Sequence, residues 1–323
     1  MGGLLASGLP TERAVSSVVE HYLDTVGVTG SNPVSRTISL SRTDQMNGGA
    51  PASGELSALL RLIDDETPVV RDRVAARLAE TSGDLSESLA DLGWDSKRGD
   101  RNLLSELLHP ARARTLRREW IVPGALGDDW DSLEHLLRLI SDFLHDGVSL
   151  RQSLPDALDL LAEEAEENEA SGSEEELCEF LFGGGRFRGN RESYYDPRNS
   201  DLGYTLSAGT SNPIGLGLVF LFTARRLGLE VSGVPFPGHF LCRYHEEGEP
   251  VIVDCFDGGR RHRLSLLLAE HPELGLQQKL SLKTFSTPDM ILQRLLSNLS
   301  SAFSGLNRVD DARLISELKS TLG

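Results

Sequence analysis

The fold is decided by residues 210–259, which read TSNPIGLGLVFLFTARRLGLEVSGVPFPGHFLCRYHEEGEPVIVDCFDGG. After the Ser-Asn-Pro start, residues 213–227 are apolar almost all round, which is typical of a helix buried in a protein core. Two strand-like segments follow, at 231–245 and 249–259, and the turn EEGEP between them predicts a hairpin. A buried helix followed by an antiparallel strand pair indicates an α+β fold with a small sheet.

Two side chains of the predicted hairpin suit acid–base chemistry. His239 lies on the first strand and Asp254 on the second. If the hairpin brings them together, the carboxylate can accept a hydrogen bond from the imidazole N–H and fix its tautomer. Because side chains alternate between the two faces of a strand, Cys242 and Cys255 are predicted to point away from His239.

The start of the helix matters because a thiol enzyme carries its nucleophile there. The helix dipole and a nearby imidazolium lower the pKa of a cysteine at such a position. Here the position is held by Pro213, which has no nucleophilic atom, and the helix contains no cysteine. Either Ser211 or Asn212 can cap the helix. The segment therefore has the histidine and the aspartate of a thiol hydrolase and lacks its cysteine.

The segment FRGNRESYYDPRNSDLGYTLSAG (187–209), together with the helix, PFPGHFLCRY and IVDCFDGG, resembles the SirB1 family of the transglutaminase-like superfamily. The resemblance covers about residues 130–270 and implies a papain-like core. His239 and Asp254 match the histidine and aspartate of the superfamily, and Pro213 stands where its cysteine would be. SirB1-type members similarly lack that cysteine. Cys255 departs from the family motif, which has proline there.

Three functions are compatible with these residues. The first is a non-catalytic module that binds a protein or peptide, with Asn199, Ser211, Asn212 and Cys255 as candidate pocket residues. The second is a hydrolase or acyltransferase in which Ser211 or Cys255 replaces the nucleophile. The third is a metal site from His239, Asp254 and a cysteine. It is disfavoured because the spacings H-x-x-C and D-C are no known zinc pattern and strand alternation places the cysteines on the other face. We therefore predict no metal and no cofactor. His239 could also have a purely structural role, as a hydrogen-bond partner of Asp254.

Composition narrows the class of partner. The formal net charge is −17, which disfavours nucleic acid and anionic membrane surfaces as partners because both require basic surface. No apolar run reaches the roughly 18 residues that a membrane span needs. Three irregularly spaced cysteines fit a reducing compartment better than a disulfide scaffold. The sequence thus predicts a cytoplasmic protein with a protein or peptide partner.

The remaining chain is predicted to be mainly helical. Residues 54–170 begin with a helix, the break DDETP and a second helix, and this arrangement resembles a HEAT-type repeat. Further helices are predicted at 103–120, 131–147 and 154–168. The arginine-rich stretch from Arg112 to Arg118 is predicted to be a solvated helix face. Residues 177–270 are assigned to the transglutaminase-like core, and 285–323 to two helices that resemble a tetratricopeptide hairpin.

The first 45 residues are predicted to be disordered and to carry no function, because they lack a periodic apolar pattern. Residues 16–38 resemble the translation of a transfer-RNA gene, in which Gly-Ser-Asn-Pro (30–33) corresponds to the T-arm. Met46 is therefore the expected native start, with a genuine disordered tail as the alternative.

Overall fold

The computed structural model describes residues 51–95, 97–122 and 124–322. The predicted tail at 1–45 and the expected start at Met46 lie outside the described residues. Helices surround a four-stranded antiparallel sheet, which confirms the predicted α+β class. None of the helices in these ranges combines the length and the apolar character that crossing a bilayer requires.

The N-terminal part of the described chain is helical, with α1 (Ser53–Leu60), α2 (Pro68–Ala79), α3 (Ser86–Asp91) and α4 (Arg98–Glu119). Proline at the first position of α2 starts that helix well because its φ is preset and its missing N–H is not needed. The first two helices pack against α4, since one apolar core joins Leu56, Val74, Leu78, Leu104 and Leu108.

The central part begins with α5 (Trp130–Leu144), α6 (Leu154–Glu167) and α7 (Glu174–Cys178), which continues as a π-turn at Glu179–Gly183. An irregular segment then contains β1 (Arg188–Gly189), a 3₁₀ turn (Pro197–Ser200), α8 (Leu202–Ala208) and β2 (Thr210–Ser211). The strands β1 and β2 pair in parallel. The predicted buried helix is α9 (Pro213–Arg226), every residue of which from Pro213 to Ala224 is buried.

The main sheet has the order β3 (Ser232–Val234), β4 (Leu241–Glu246), β5 (Glu249–Asp254) and β6 (Arg260–Arg263). The predicted hairpin is the β4–β5 pair, with Cys242 opposite Val253. It turns through Glu247 and Gly248, both at positive φ (50° and 83°), which is the two-residue geometry that matches strand twist. Strand β6 was not predicted because Arg-Arg-His-Arg carries no apolar alternation.

The prediction of one continuous strand over 231–245 is wrong. Strands β3 and β4 are antiparallel to each other, and residues 235–240 form the loop between them. Pro235 and Pro237 cannot donate to a strand ladder, and Gly238 adopts a φ of +70°. His239 therefore lies in this loop, two residues before β4, rather than on a strand.

The chain ends with α10 (Leu264–Glu270), α11 (Leu276–Ser281), α12 (Pro288–Gly305) and α13 (Val309–Lys319), so the predicted C-terminal helix pair is present. Its apolar side joins the core that holds α9, α5 and the inner face of the sheet; examples are Leu296, Phe303, Phe220 and Val253. The likeness of the terminal pair to a tetratricopeptide hairpin, the HEAT likeness and the domain boundaries at 170, 177, 270 and 285 stay predictions.

Glycine at position 217 lets α9 approach the sheet closely. A Cβ atom there would lie 2.6 Å from the ring of Phe240 and 3.3 Å from Sγ of Cys242. Any larger side chain would push apart the helix and the β3–β4 loop. The close packing of α9 thus fixes where its first residues lie relative to His239.

Candidate functional site

A cavity of about 270 Å³ opens between the start of α9, the β3–β4 loop, residues 194–200 and helix α12. Pro213 and His239 both line it, so the expected meeting of the helix start and the histidine is confirmed. The inner wall includes Phe240 and Ile214, and the mouth carries Tyr195, which is 70% exposed.

His239 is held from behind by Asp254. The Nε2 atom of His239 lies 3.0 Å from Oδ1 of Asp254, as the sequence predicted. The same oxygen accepts hydrogen bonds from the backbone N–H groups of Phe256 (3.0 Å) and Asp257 (3.1 Å). Burial raises the pKa of the Asp254 carboxyl, but the bond and charge of His239 and the two backbone donors outweigh it. The pKa of Asp254 is therefore below its ordinary value.

This arrangement fixes the imidazole. His239 is only 9% exposed, and its ring stands edge-on to that of Phe256 with the centroids 6.1 Å apart. Because Asp254 engages Nε2, the other ring nitrogen is the one available to a ligand. The pair resembles the base and the orienting carboxylate of a hydrolase, whose function is to hold one tautomer in place.

Asn212, rather than Ser211, caps helix α9. Its Oδ1 atom accepts from the N–H of Gly215 at 2.9 Å, and Pro213 occupies the first helical position. Ser211 was predicted as a pocket residue, a cap or a nucleophile, but it does not line the cavity. Its buried Oγ donates to the carbonyl of Asn199 (2.9 Å) and accepts from Thr205 (3.0 Å). With its hydroxyl engaged, Ser211 is a structural residue.

Asn199 also lies outside the cavity, contrary to prediction. It is 1% exposed, and its amide donates to the carbonyls of Ser193 and Tyr194, both at 2.8 Å. Its Oδ1 accepts from Asn190 at 2.9 Å. Asn199 therefore positions the loop that carries Tyr194 and Tyr195, which form one wall of the cavity.

The prediction of Cys255 as a pocket residue is wrong, because Cys255 lies in the core on the opposite face of the sheet. It shares the apolar core with Cys242 and α9, as strand alternation predicted for both cysteines. Burial raises the pKa of Cys255 well above that of a free thiol, and burial also raises the pKa of Cys178 to about 11. These thiols are neutral at pH 7 and lack the thiolate that nucleophilic attack requires.

The structure adds residues that the sequence analysis missed. Ser200 lines the cavity although it is 4% exposed, and α12 contributes Arg294, Asn298 and Ser301. The spacing of four and three residues places the last three on one side of α12, beside its buried leucine stripe. That polar stripe was visible in the sequence, but the partner across the cavity was not.

Within the described ranges, no group of three or more His, Cys, Asp or Glu side chains is arranged to hold a metal ion. The polar groups that line the cavity are one oriented imidazole, one guanidinium, the Asp196 carboxylate, the carboxamides of Asn212 and Asn298, and hydroxyls.

The residues around this cavity match a known family model. Residues 152–297 match the family model of the transglutaminase-like superfamily. The matched range runs from the start of α6 into α12 and so includes Pro213, His239, Asp254 and Arg294. The matched range thus contains the His239–Asp254 pair and most of the cavity wall.

Relatives are found in bacteria and animals. The chain is 38% identical over 142 residues to a UPF0162 protein of Xylella fastidiosa (strain 9a5c), covering 41% of this chain and 50% of that protein. It is 32% identical over 127 residues to F-box only protein 21 of Mus musculus, covering 36% of this chain and 19% of that protein. The chain thus spans about half the length of the UPF0162 relatives from Xylella fastidiosa. No solved structure matches it.

The charge of Asp254 should contribute to stability in a pH-dependent way. Its folded pKa lies below the ordinary 3.8, so the contribution is present above the unfolded pKa and is lost as the pH falls through the folded value. We expect Asp254→Asn, which keeps the shape, to lower the free energy of unfolding by about 1–3 kcal/mol at pH 7. Urea unfolding between pH 7 and 2.5 should show this difference shrinking below about pH 4.

Asp257→Asn is the matched control, because Asp257 is more exposed and its carboxylate pairs with Arg191 and Arg260 at the surface. Its effect should stay within about 1 kcal/mol. A difference for Asp254→Asn that is constant over this pH range would contradict the assigned cause.

Proposed function

We propose that the transglutaminase-like domain is a non-catalytic module of SirB1 type that binds a protein or peptide segment in the cavity beside His239. One observation carries the proposal: Pro213 stands at the start of α9, and Cys178, Cys242 and Cys255 are buried outside the cavity. Thiol-dependent acyl transfer requires a thiolate beside the base. The oriented histidine has no such sulfur to activate.

The shape and lining of the cavity favour a peptide segment as the ligand. Its volume suits one or two side chains rather than a large cofactor. Tyr194 and Tyr195 provide aromatic surface at one side, and Asn298 and Ser301 on α12 provide hydrogen-bonding groups at the other. Aromatic surface with a few polar groups is typical of sites that bind a short chain segment.

A blocking substitution tests peptide binding. Peptides are selected from a random display library on the wild-type protein, and their affinities are measured by fluorescence anisotropy. Ser301→Trp, at an exposed position of α12 on the cavity wall, should weaken binding at least about tenfold. Ser320→Trp, at the exposed end of α13 and outside the cavity lining, should leave it unchanged. Equal affinities for the two variants, or a library that yields no binder, would refute the proposal.

One observation favours the alternative, a hydrolase or acyltransferase with a substituted nucleophile. Ser200 lines the same cavity as His239, whereas the nucleophiles predicted from sequence, Ser211 and Cys255, do not. In that reaction the Ser200 oxygen would attack an acyl carbonyl, its proton would pass to the imidazole, and the leaving group would depart from the acyl carbon.

Intact-protein mass spectrometry after exposure to p-nitrophenyl acetate separates the two functions. A non-catalytic module should gain no acetyl group (about 42 Da) at Ser200. Rapid acetylation of Ser200 that disappears in both Ser200→Ala and His239→Gln would establish the alternative. Slow acetylation of surface lysines is expected in every variant and serves as the internal reference.

We also propose a cytoplasmic location, since all three cysteines are free thiols in the fold and a reducing compartment keeps them so. Cell fractionation tests this, and recovery in an oxidising compartment would refute it.

A further inference from the structure

We infer that the cavity binds a carboxylate group of its peptide ligand, with Arg294 as the cation that holds it. The inference rests on the proposed function and adds the chemical class of the ligand. The chemistry is common to a peptide C-terminus and to an aspartate or glutamate side chain, and the experiment below distinguishes these sources.

Arg294 is a cation on the cavity wall that has no carboxylate partner in the described part of the chain. Its Nη1 donates to the carbonyl of Phe236 at 3.0 Å, and its guanidinium lies 6.0 Å from the ring centroid of Phe240. Within the described ranges no Asp or Glu lies at ion-pair distance from it, whereas Arg226 on α9 pairs with Glu134 and Asp159. A guanidinium has five N–H donors in a fork that fits a carboxylate, so the Phe236 carbonyl leaves donors for a ligand.

Burial makes this cation favour an anionic ligand. Burial lowers the pKa of Arg294, while the neighbouring Tyr194 raises it, and a guanidinium remains charged at neutral pH. A charge withdrawn from water without a counter-ion carries a desolvation cost. A carboxylate that enters the cavity would offset that cost and exclude water at the same time.

Two carboxylates near the cavity, those of Asp196 and Asp254, already have hydrogen-bond partners. Asp196 lines it, but Arg198 binds its carboxylate at 2.6 Å, and the pKa of Asp196 is lowered because this bond and a backbone donor outweigh burial. Asp254 is bound by His239 and two backbone N–H groups. Arg294 therefore supplies positive charge to the cavity that neither carboxylate takes up, although the chain carries a net charge of −17.

Two further features support an anion at this place. His239 faces the cavity, and its ring nitrogen remote from Asp254 becomes a donor when the imidazole is protonated. The 14-residue helix α9 begins at the cavity wall, so its positive end faces the same space. Asn298 and Ser301, one and two turns after Arg294, are placed to bond the peptide backbone next to the carboxylate.

The test uses acetylated hexapeptide pools in two pairs. One pair differs only in a free or an amidated C-terminus, and the other, amidated throughout, contains glutamate or glutamine. For the wild type, the acid form of at least one pair should bind roughly 10–100-fold more tightly than its neutral form. The pair that shows the preference identifies the source of the carboxylate.

Arg294→Gln should abolish the preference, whereas Arg294→Lys should keep part of it because it retains the charge. Arg313→Gln is the control, since it changes net charge equally at an exposed position paired with Asp310. Circular dichroism melting establishes that each variant is folded. Should Arg294→Gln not fold, the Arg294→Lys variant decides.

Equal binding of acid and neutral forms to the wild type, or a preference undiminished in the folded Arg294 variants, would overturn the inference. Such a result leaves the proposed function standing if Ser301→Trp still weakens peptide binding. Absence of binding by every pool and every selected peptide would refute both.

Discussion

Replacing Arg112 with methionine should lower the free energy of unfolding by about 3–5 kcal/mol, since each hydrogen bond from a charged donor contributes about 1.5–3 kcal/mol and such bonds are not additive. The side chain is 7% exposed and donates to backbone carbonyls of Asp146 (2.9 Å), Ser105 (3.2 Å) and Phe143 (3.3 Å). Methionine fills much of the same volume but would leave these acceptors without a donor.

Arg112 joins segments that are distant in sequence. Gly83 and Gly147, both at positive φ, pack closely on its side chain. A Cβ atom at Gly83 would lie 2.5 Å from Cγ of Arg112, and one at Gly147 would lie 2.9 Å from its Nη1. Burial lowers the pKa of Arg112 to about 10, so the cation persists at neutral pH. The predicted solvated face is therefore wrong at Arg112, which holds the N-terminal helices against the loop after α5.

Urea unfolding at pH 7 with limited proteolysis measures the effect. Arg112→Met should shift the transition to lower urea and open residues 81–84 to cleavage, whereas Arg112→Lys should retain part of the stability. Arg118→Met is the control, because Arg118 is 54% exposed and pairs only with its neighbour Glu119 at 3.0 Å among the described residues; we expect a change within about 0.5 kcal/mol. A similar loss in both methionine variants would contradict this role.

Phe220→Ala should cost about 3–5 kcal/mol, because removing a fully buried aromatic side chain leaves a cavity that the surroundings fill only in part. Phe220 is 0% exposed in the middle of α9, and its ring meets that of Phe182 edge-on at 5.9 Å. The two rings tie α9 to the segment after α7. Their loss removes contact area on the helix around which the domain is built.

Guanidinium chloride unfolding gives the free energy for this variant. Leu266→Ala is the control, since Leu266 is 56% exposed and its truncation should change stability by less than about 1 kcal/mol. Phe220→Leu, which refills part of the space, should recover some of the loss. A loss below about 1 kcal/mol in Phe220→Ala would show that the core relaxes around α9 and that the helix is not its rigid centre.

The local sequence pattern by itself determines much of the secondary structure of this protein. Apolar periodicity predicts α1, α2, α4, α5, α6 and the terminal pair, because burial of one face selects side chains at the helical repeat. A run that is apolar on all sides predicts the buried helix α9. The hairpin followed from a short turn between apolar strands, and alternation correctly directed Cys242 and Cys255 away from His239. The bond between His239 and Asp254 depends in addition on the β3–β4 loop, because His239 lies two residues before β4. Pro235 and Pro237 also indicate in the sequence that the strand is interrupted, and the prediction of a single strand did not take them into account.

Only the tertiary structure decided which polar residues share a site. Arg294 and His239 line one cavity because α12 packs on the 3₁₀ turn Pro197–Ser200 and on α5, and no pattern near either residue encodes that packing. Asn199 and Ser211 are near His239 in the fold, yet their hydrogen bonds turn inward to backbone and side-chain partners. Arg112 stands in a charged run but is buried, since the carbonyls that satisfy it come from loops elsewhere in the chain. Sequence sets local conformation through short-range propensities, whereas the position of a polar group, in a site or in the core, depends on partners that folding brings from a distance.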